Sequence, residues 1–281
     1  MESREIKMEI DDLKKEYRDF QFHIPSFQAY GGEYIGIIGE NGAGKSTWLH
    51  LILQLAKKDG GMIRLLGEEE RTESIKAKVG VVYENCCFSG EMTIPDIDRV
   101  MKSIYRKNWD SALFFDEMNK NDLPMNKKIA EWSLGMKTKL NIYAALCHNP
   151  EIILVDEATG SLDPVVRKEI HKTIRDFVDR TNAVVLLSSH IVNELEQYCN
   201  RLVFLSDGKI AFDLTPKELR EEFYMVRTQK DVSAYDHSLM VLVEGNEKCF
   251  TRECITGKKV YKACIIYARI TLFRLGNIYY N

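Results

Sequence analysis

The sequence predicts an α/β fold in which a mostly parallel sheet core is joined to an antiparallel β subdomain and a helical subdomain. Three observations predict it. Apolar runs at residues 34–38, 152–155, 183–187 and 201–205 read as buried strands, and helical patterns near 164–179 and 191–199 alternate with the later ones, which is the order of a parallel sheet. Ile6, Met8 and Ile10, then Phe20, Phe22 and Ile24, repeat with a period of two, the mark of antiparallel strands. Between residues 93 and 147 the strand signal disappears, while Ile97, Val100, Met101 and Ile104, then Leu113, Phe114 and Met118, recur at helical spacing.

The first strand of the core leads into Gly39-Glu40-Asn41-Gly42-Ala43-Gly44-Lys45-Ser46, which fits the spacing G-x-x-x-x-G-K-[ST]. Trp48, Leu49, Leu51, Ile52 and Leu55 follow at helical spacing, so Thr47 falls in the first turn of a helix. Glycines let backbone N–H groups curl around a phosphate, Lys45 brings a cation to the β- and γ-phosphates, and the Ser46 hydroxyl suits magnesium. The helix N-terminus adds its own partial positive charge. This is a nucleotide-phosphate site.

Further along, residues 62–66 and 79–82 are short apolar strands separated by a charged segment. Asp207-Gly208 marks a hairpin turn, and Thr215-Pro216-Lys217-Glu218 is a capping box with proline at the first helical position. The core is therefore expected to close near residue 224, giving one domain over 1–224, with its helical subdomain at about 93–147, and an extension over 225–281. In that extension Val241 and Val243 suggest a strand, and residues 257–281 carry basic and no acidic side chains. Cys249, Cys254 and Cys264 with His237 lack the close pairing of a zinc knuckle.

Composition narrows the function. A net charge of −3 gives no electrostatic case for a nucleic-acid partner. The charged start of the chain is unlike an apolar leader, and no run of about 18 apolar residues occurs, so the expected location is cytoplasmic. Seven cysteines, an odd number, point to free thiols.

The strand at 152–155 ends in Asp156 and Glu157. Beside a phosphate loop, the first carboxylate suits the magnesium shell and the second suits orienting or deprotonating a water. With Ser133-Leu134-Gly135-Met136, Gly160-Ser161-Leu162-Asp163-Pro164, Ser188-Ser189-His190 and an aromatic, Tyr17, ahead of the loop, residues 1 to about 224 resemble the nucleotide-binding subunit of an ATP-binding cassette (ABC) transporter, a P-loop NTPase. The resemblance implies ATP and magnesium as ligands and Tyr17 as the adenine platform. Glu157 would be the catalytic carboxylate and His190 the γ-phosphate switch. Ser133, Gly135 and Asp163 would act in trans, on the site of a second cassette that meets the first head to tail as a homo- or heterodimer. Glu84 stands where the family has a magnesium-sensing glutamine. Leu134, Met136 and Ala158 are further departures.

Within the family, Trp132 through Lys137 and the stretch from Val100-Met101-Lys102 to Asn108-Trp109 most resemble bacterial exporters of the bacitracin-resistance and antimicrobial-peptide type, whose membrane permease is a separate chain. That resemblance implies an ATPase lying peripherally at the inner face of the cell membrane, with Cys86, Cys87 and Phe88 in the loop that meets the permease. The alternatives are a soluble ABC-type ATPase without a transport role and a regulatory cassette that binds ATP with little hydrolysis.

Overall fold

A computed structural model describes residues 4–69, 72–189, 192–227, 243–244 and 247–251. The period-two pattern of the N-terminal segment becomes β1 (Ile6–Tyr17) and β2 (Phe20–Tyr30), an antiparallel pair. Next come β3 (Tyr34–Ile38), the phosphate loop, α1 (Lys45–Ile52) and β4 (Gly60–Leu65), which returns to the free side of β1. One face of this three-stranded sheet is apolar. Met8, Ile10, Leu13, Phe22, Ile24 and Phe27 are at most 3% exposed and pack on Trp48, Leu49 and Ile52 of α1. Phe27 meets Trp48 edge to face at 4.8 Å, the geometry their ring quadrupoles favour.

Ile35, Ile37, Leu154 and Leu186 belong to the same core, so α1 is held between the two sheets. Each buried side chain of this size contributes roughly 1.5–3 kcal/mol relative to exposure, which anchors the helix that presents the phosphate loop. The helix is shorter than its apolar stripe suggests. Gln54 adopts a left-handed φ of 54°, and the amides of Gln54 and Leu55 turn back to the carbonyls of Leu51 and His50, a Schellman closure. Leu55, expected on the buried face, is consequently 65% exposed.

The charged stretch after β4 contains a helix that apolar periodicity could not show, α2 (Glu73–Lys76), where Thr72 Oγ1 accepts from the Ile75 amide. It leads to β5 (Val79–Tyr83) and then to the helical segment, α3 (Ile94–Tyr105), α4 (Ser111–Lys120) and α5 (Leu134–Leu146). Ile97, Met101, Phe114, Met118, Trp132 and Leu140 share one small core. Val100 and Ile104, read from sequence as part of the α3 stripe, are instead 41% and 62% exposed.

After α5 the chain runs β6 (Ile152–Asp156), α6 (Pro164–Thr181), β7 (Val184–Ser188), α7 (Val192–Tyr198), β8 (Arg201–Ser206), β9 (Lys209–Leu214) and α8 (Pro216–Glu222). The main sheet has the order β5-β6-β7-β3-β8-β9 and is parallel except for β9. The β8–β9 hairpin turns through Asp207 and Gly208, both at positive φ (47° and 72°), as the Asp-Gly pair predicts. Thr215 and Glu218 form the expected reciprocal cap of α8. A separate three-stranded sheet follows, from β10 (Phe223–Arg227), β11 (Val243–Glu244) and β12 (Glu247–Thr251), in the order β10-β12-β11. Val241, His237, Cys254, Cys264 and the basic stretch 257–281 lie outside the described residues. Among the described residues Cys86, Cys87, Cys147 and Cys199 are free thiols.

One ion cluster ties the two sheets together. Glu151, just ahead of β6, receives Lys7 of β1 at 2.7 Å and Lys78 at 2.8 Å, and the Lys7 side chain is only 6% exposed. Burial raises the Glu151 pKa, but hydrogen bonds and charge from Lys7 and Lys78 outweigh it and hold the carboxyl below the ordinary carboxylate range. A depressed carboxyl contributes stability that is present above its unfolded pKa and is lost as pH falls through the folded one. We predict that Glu151→Gln lowers unfolding stability at pH 7 by about 1–3 kcal/mol, because an ammonium stays buried with a weaker partner. In urea titrations the gap from the parent should narrow as the pH drops below the carboxylate range; a gap independent of pH would contradict this account.

Candidate active site

The site is built where the carboxyl ends of β3, β6 and β7 meet, because the segments that follow these neighbouring strands carry the polar residues. After β3 the loop turns through Gly42 (φ 83°) and Gly44 (φ 108°). Gly44 is doubly constrained, since a Cβ there would also stand 2.9 Å from the Phe22 ring. Its carbonyl accepts from the Trp48 amide, so the helix starts inside the loop. Gly39 is equally tight, with an added Cβ 2.8 Å from the Leu205 carbonyl oxygen.

Lys45 is buried, and its ammonium donates to the carbonyls of Gly39 at 2.9 Å and Glu40 at 3.2 Å. It also stands 3.4 Å from Glu157 Oε1. The cation of the phosphate loop and the second acid of β6 therefore meet directly. Tyr17, Phe20, Asn41, Gly42, Gly44, Lys45, Ser46, Thr47 and Glu157 line one open cleft of about 560 Å³. Tyr17 is 46% exposed at the end of β1, with the Lys15 ammonium over its ring at 5.3 Å and the Phe20 ring 6.3 Å away.

Asp156 is fixed by register. β6 and β7 pair so that Asp156 lies beside Ser188, and β7 and β3 pair so that Ser188 lies beside Ile37. Ser188 Oγ donates to Asp156 Oδ1 at 2.6 Å, and Ser46 Oγ donates to the same oxygen at 3.3 Å. Ser188 Oγ also accepts from the Glu157 amide at 3.1 Å. Glu157 itself has φ 48°, a left-handed conformation that costs a non-glycine residue of order 1–3 kcal/mol. The sequence points to both acids but not to Ser188 as the group that orients them; the signal is its place at the end of the neighbouring strand.

A second cleft of about 470 Å³ is lined by Ser46, Tyr83, Glu84, Asn85, Cys86, Cys87, Asp156 and Glu157. It brings the three residues expected to meet magnesium, Ser46, Glu84 and Asp156, to one place. Oxygen donors of this kind suit a hard cation. Among the described residues no group of three or more His, Cys, Asp or Glu side chains is arranged to hold a metal by itself. Magnesium takes one or two carboxylates and completes its shell with phosphate oxygens and water. Burial first, then the Asp156 charge, raises the Tyr83 phenol pKa, so it stays protonated. Burial likewise pushes both thiols upward. Ser161 Oγ donates to Glu84 Oε1 at 3.3 Å, tying the loop after β5 to the loop after β6.

Ser133 caps α5, its Oγ accepting from the Met136 amide. A Cβ added to Gly135 would meet only Val166, at 3.6 Å, and the neighbouring Leu134 is 46% exposed. Asp163 caps α6 through Oδ1, which accepts from the Val165 amide at 2.8 Å. None of Ser133, Gly135 and Asp163 lines either cleft. His190 lies outside the described residues.

With this geometry in hand, comparison with known proteins is informative. The ABC transporter family pattern matches residues 22–160. The ABC transporter ATP-binding protein YtrB of Bacillus subtilis (strain 168) is 32% identical over 203 residues, covering 71% of this chain and 68% of that one. The bacitracin transport ATP-binding protein BcrA of Bacillus licheniformis is 32% identical over 212 residues, covering 72% and 69%. Among solved structures, one described as the ATP binding subunit of an ABC transporter superposes with a TM-score of 0.67 at 25% identity, over 76% of this chain and 91% of its own. A phosphate loop, paired acids and antiparallel β subdomain in this arrangement, with relatives of this kind, place the chain in the ABC transporter family as an ATP-binding subunit.

Proposed function

We propose that this chain binds ATP with magnesium, hydrolyses it in a head-to-tail pair with a second cassette, and so powers export through a separate membrane permease. The observation that carries the reading is the meeting of Lys45, Ser46, Asp156 and Glu157 at adjoining strand ends. In this reading Tyr17 receives the adenine ring, and the amides of Gly42 and Gly44 through Thr47, with Asn41 and Gly39 shaping the turn, receive the phosphates. Lys45 exchanges the Gly39 and Glu40 carbonyls for phosphate oxygens. When bound, magnesium would supply positive charge to offset that of the triphosphate, and Ser46, Asp156 and Glu84 are the residues that would hold it.

Glu157, drawn off Lys45, then orients or deprotonates the water that attacks the γ-phosphorus, with ADP as the leaving group. His190 would contact the γ-phosphate. Ser133 and Gly135, at the start of α5, would present a helix N-terminus to the γ-phosphate of the second subunit, and Asp163 would lie between the two sites. A transport role is supported by the likeness to a bacitracin transport protein. No helix among the described residues is long and apolar enough to cross a membrane; the reading gives that task to another chain and sets this one at the inner membrane face. It divides the chain into an ATPase domain over 1–224 and an extension over 225–281 without an assigned role.

Three outcomes test the proposal. Glu157→Gln keeps shape and should lower hydrolysis by roughly 10²–10⁴ while sparing ATP binding, so that an ATP-bound dimer accumulates in size-exclusion runs; unchanged turnover would overturn the assignment. Lys45→Ala should remove the thermal stabilisation that ATP gives the parent, because the phosphates lose their direct counter-ion. Glu84→Gln should keep or raise magnesium-dependent ATPase, and Glu84→Ala should lower it. Identical magnesium dependence in all three proteins, alone and with the permease, would remove Glu84 from the metal site.

A further inference from the structure

Between Glu157 and α6 the chain makes a tight excursion through Thr159, Gly160, Ser161 and Leu162, and the groups that fix this loop come from the helix that follows it. Arg167, one turn into α6, donates from Nε to the Thr159 carbonyl at 3.1 Å and from Nη2 to the carbonyls of Gly160 at 3.1 Å and Leu162 at 2.7 Å. Thr159 is fully buried, and its carbonyl also accepts from the Leu162 amide. Asp163 caps the helix that carries Arg167, so the loop is closed at its exit by the cap and across its middle by the guanidinium. Three carbonyls gathered around one point repel one another unless a cation sits among them. Guanidinium spans them with planar, fixed donors, which a lysine ammonium cannot reproduce.

We infer that Arg167 is a positioning residue for hydrolysis, acting through Glu157 and Ser161 rather than touching nucleotide. Glu157 enters this loop in a left-handed conformation, and one loop residue, Ser161, bonds Glu84 at the metal cleft. The clamp thus holds the base against relaxation of its backbone on one side and the Ser161–Glu84 contact on the other. Loss of the clamp displaces the carboxylate without removing it. The inference rests on the reading of Glu157 as the catalytic carboxylate.

The test compares the purified full-length parent with Arg167→Lys, Arg167→Ala, Glu157→Gln and the double variant Glu157→Gln/Arg167→Ala, in steady-state ATP hydrolysis and in amide hydrogen exchange. Both Arg167 variants should lose about 10- to 100-fold in kcat, as small misplacements of a catalytic group do, with KM for ATP changed by less than about threefold. Exchange should quicken in residues 157–162 and stay unchanged in β6 and α1. Adding Arg167→Ala to Glu157→Gln should cost nothing further, because the group it positions is already disabled. A kcat within about twofold of the parent in Arg167→Lys, or an equal further loss in the Glu157→Gln background, would overturn the inference. Exchange that quickens throughout the chain would do the same, by showing a general loss of stability. If Glu157→Gln itself hydrolyses like the parent, the catalytic reading fails first; if it is slow while both Arg167 variants are normal, only this inference fails.

Discussion

One carboxylate oxygen, Asp156 Oδ1, joins the pieces of the site. It accepts from Ser188 at the end of β7 and from Ser46 in the first turn of α1, so the ends of two strands and a helix converge on a single atom. Hydrogen bonds to an ionised acceptor are roughly twice as strong as neutral ones, yet their strength matters less here than what makes them possible. Asp156 lies beside Ser188 only in the observed register of β6 and β7. That register is enforced by strands whose apolar residues are almost wholly buried on both faces, where no slip could leave their contacts intact.

The electrostatics then follow from distance. Lys45 and Glu157 form a partly exposed pair, and Lys45 leans as well on two neutral carbonyls. A carboxylate and two carbonyls are weaker partners for an ammonium than the several charges of a triphosphate, so nucleotide should win the lysine. Exchange of that partner also removes the Lys45 contact from Glu157 Oε1. The same contact that satisfies the loop's cation thereby holds one oxygen of the base on Lys45 until phosphate arrives, within the function proposed above.

Much of this was legible in sequence, and the reason is periodicity. The strands at 34–38, 152–155 and 183–187 are near-continuous apolar runs because both of their faces are covered, and the spacing of glycines around Lys45 leaves few other folds open. The Asp-Gly turn and the Thr215–Glu218 cap follow from local chemistry alone. What escaped depends on tertiary context. Gln54 ends α1 in a conformation usually left to glycine, α2 is too short and charged to show a stripe, and Val100 and Ile104 face outward from a helix whose pattern reads as buried. Arg167 is an ordinary letter in the sequence, and Ser188 enters it only as part of the Ser188-Ser189-His190 motif. Each becomes informative only when a neighbouring strand or a loop ahead of its own helix brings carbonyls or a carboxylate within reach.

Glu84 shows how charge rather than hydrogen bonding sets the character of the second cleft. A glutamine there could also accept the Ser161 hydroxyl through its own oxygen, so the geometry of that bond does not by itself call for an acid. The cleft is lined by Glu84, Asp156 and Glu157 together. Lys45 offsets one of these carboxylates in the observed arrangement, but a nucleotide that draws Lys45 away adds its own negative charge as it removes that compensation. Negative charges gathered in one cleft favour a bound cation. The electrostatic need for a divalent ion is therefore greatest at the moment nucleotide binds, and an acid at position 84 makes it greater than an amide would. In the proposed function, that couples occupancy of the metal site to occupancy of the phosphate loop through field alone, with no movement of the chain required.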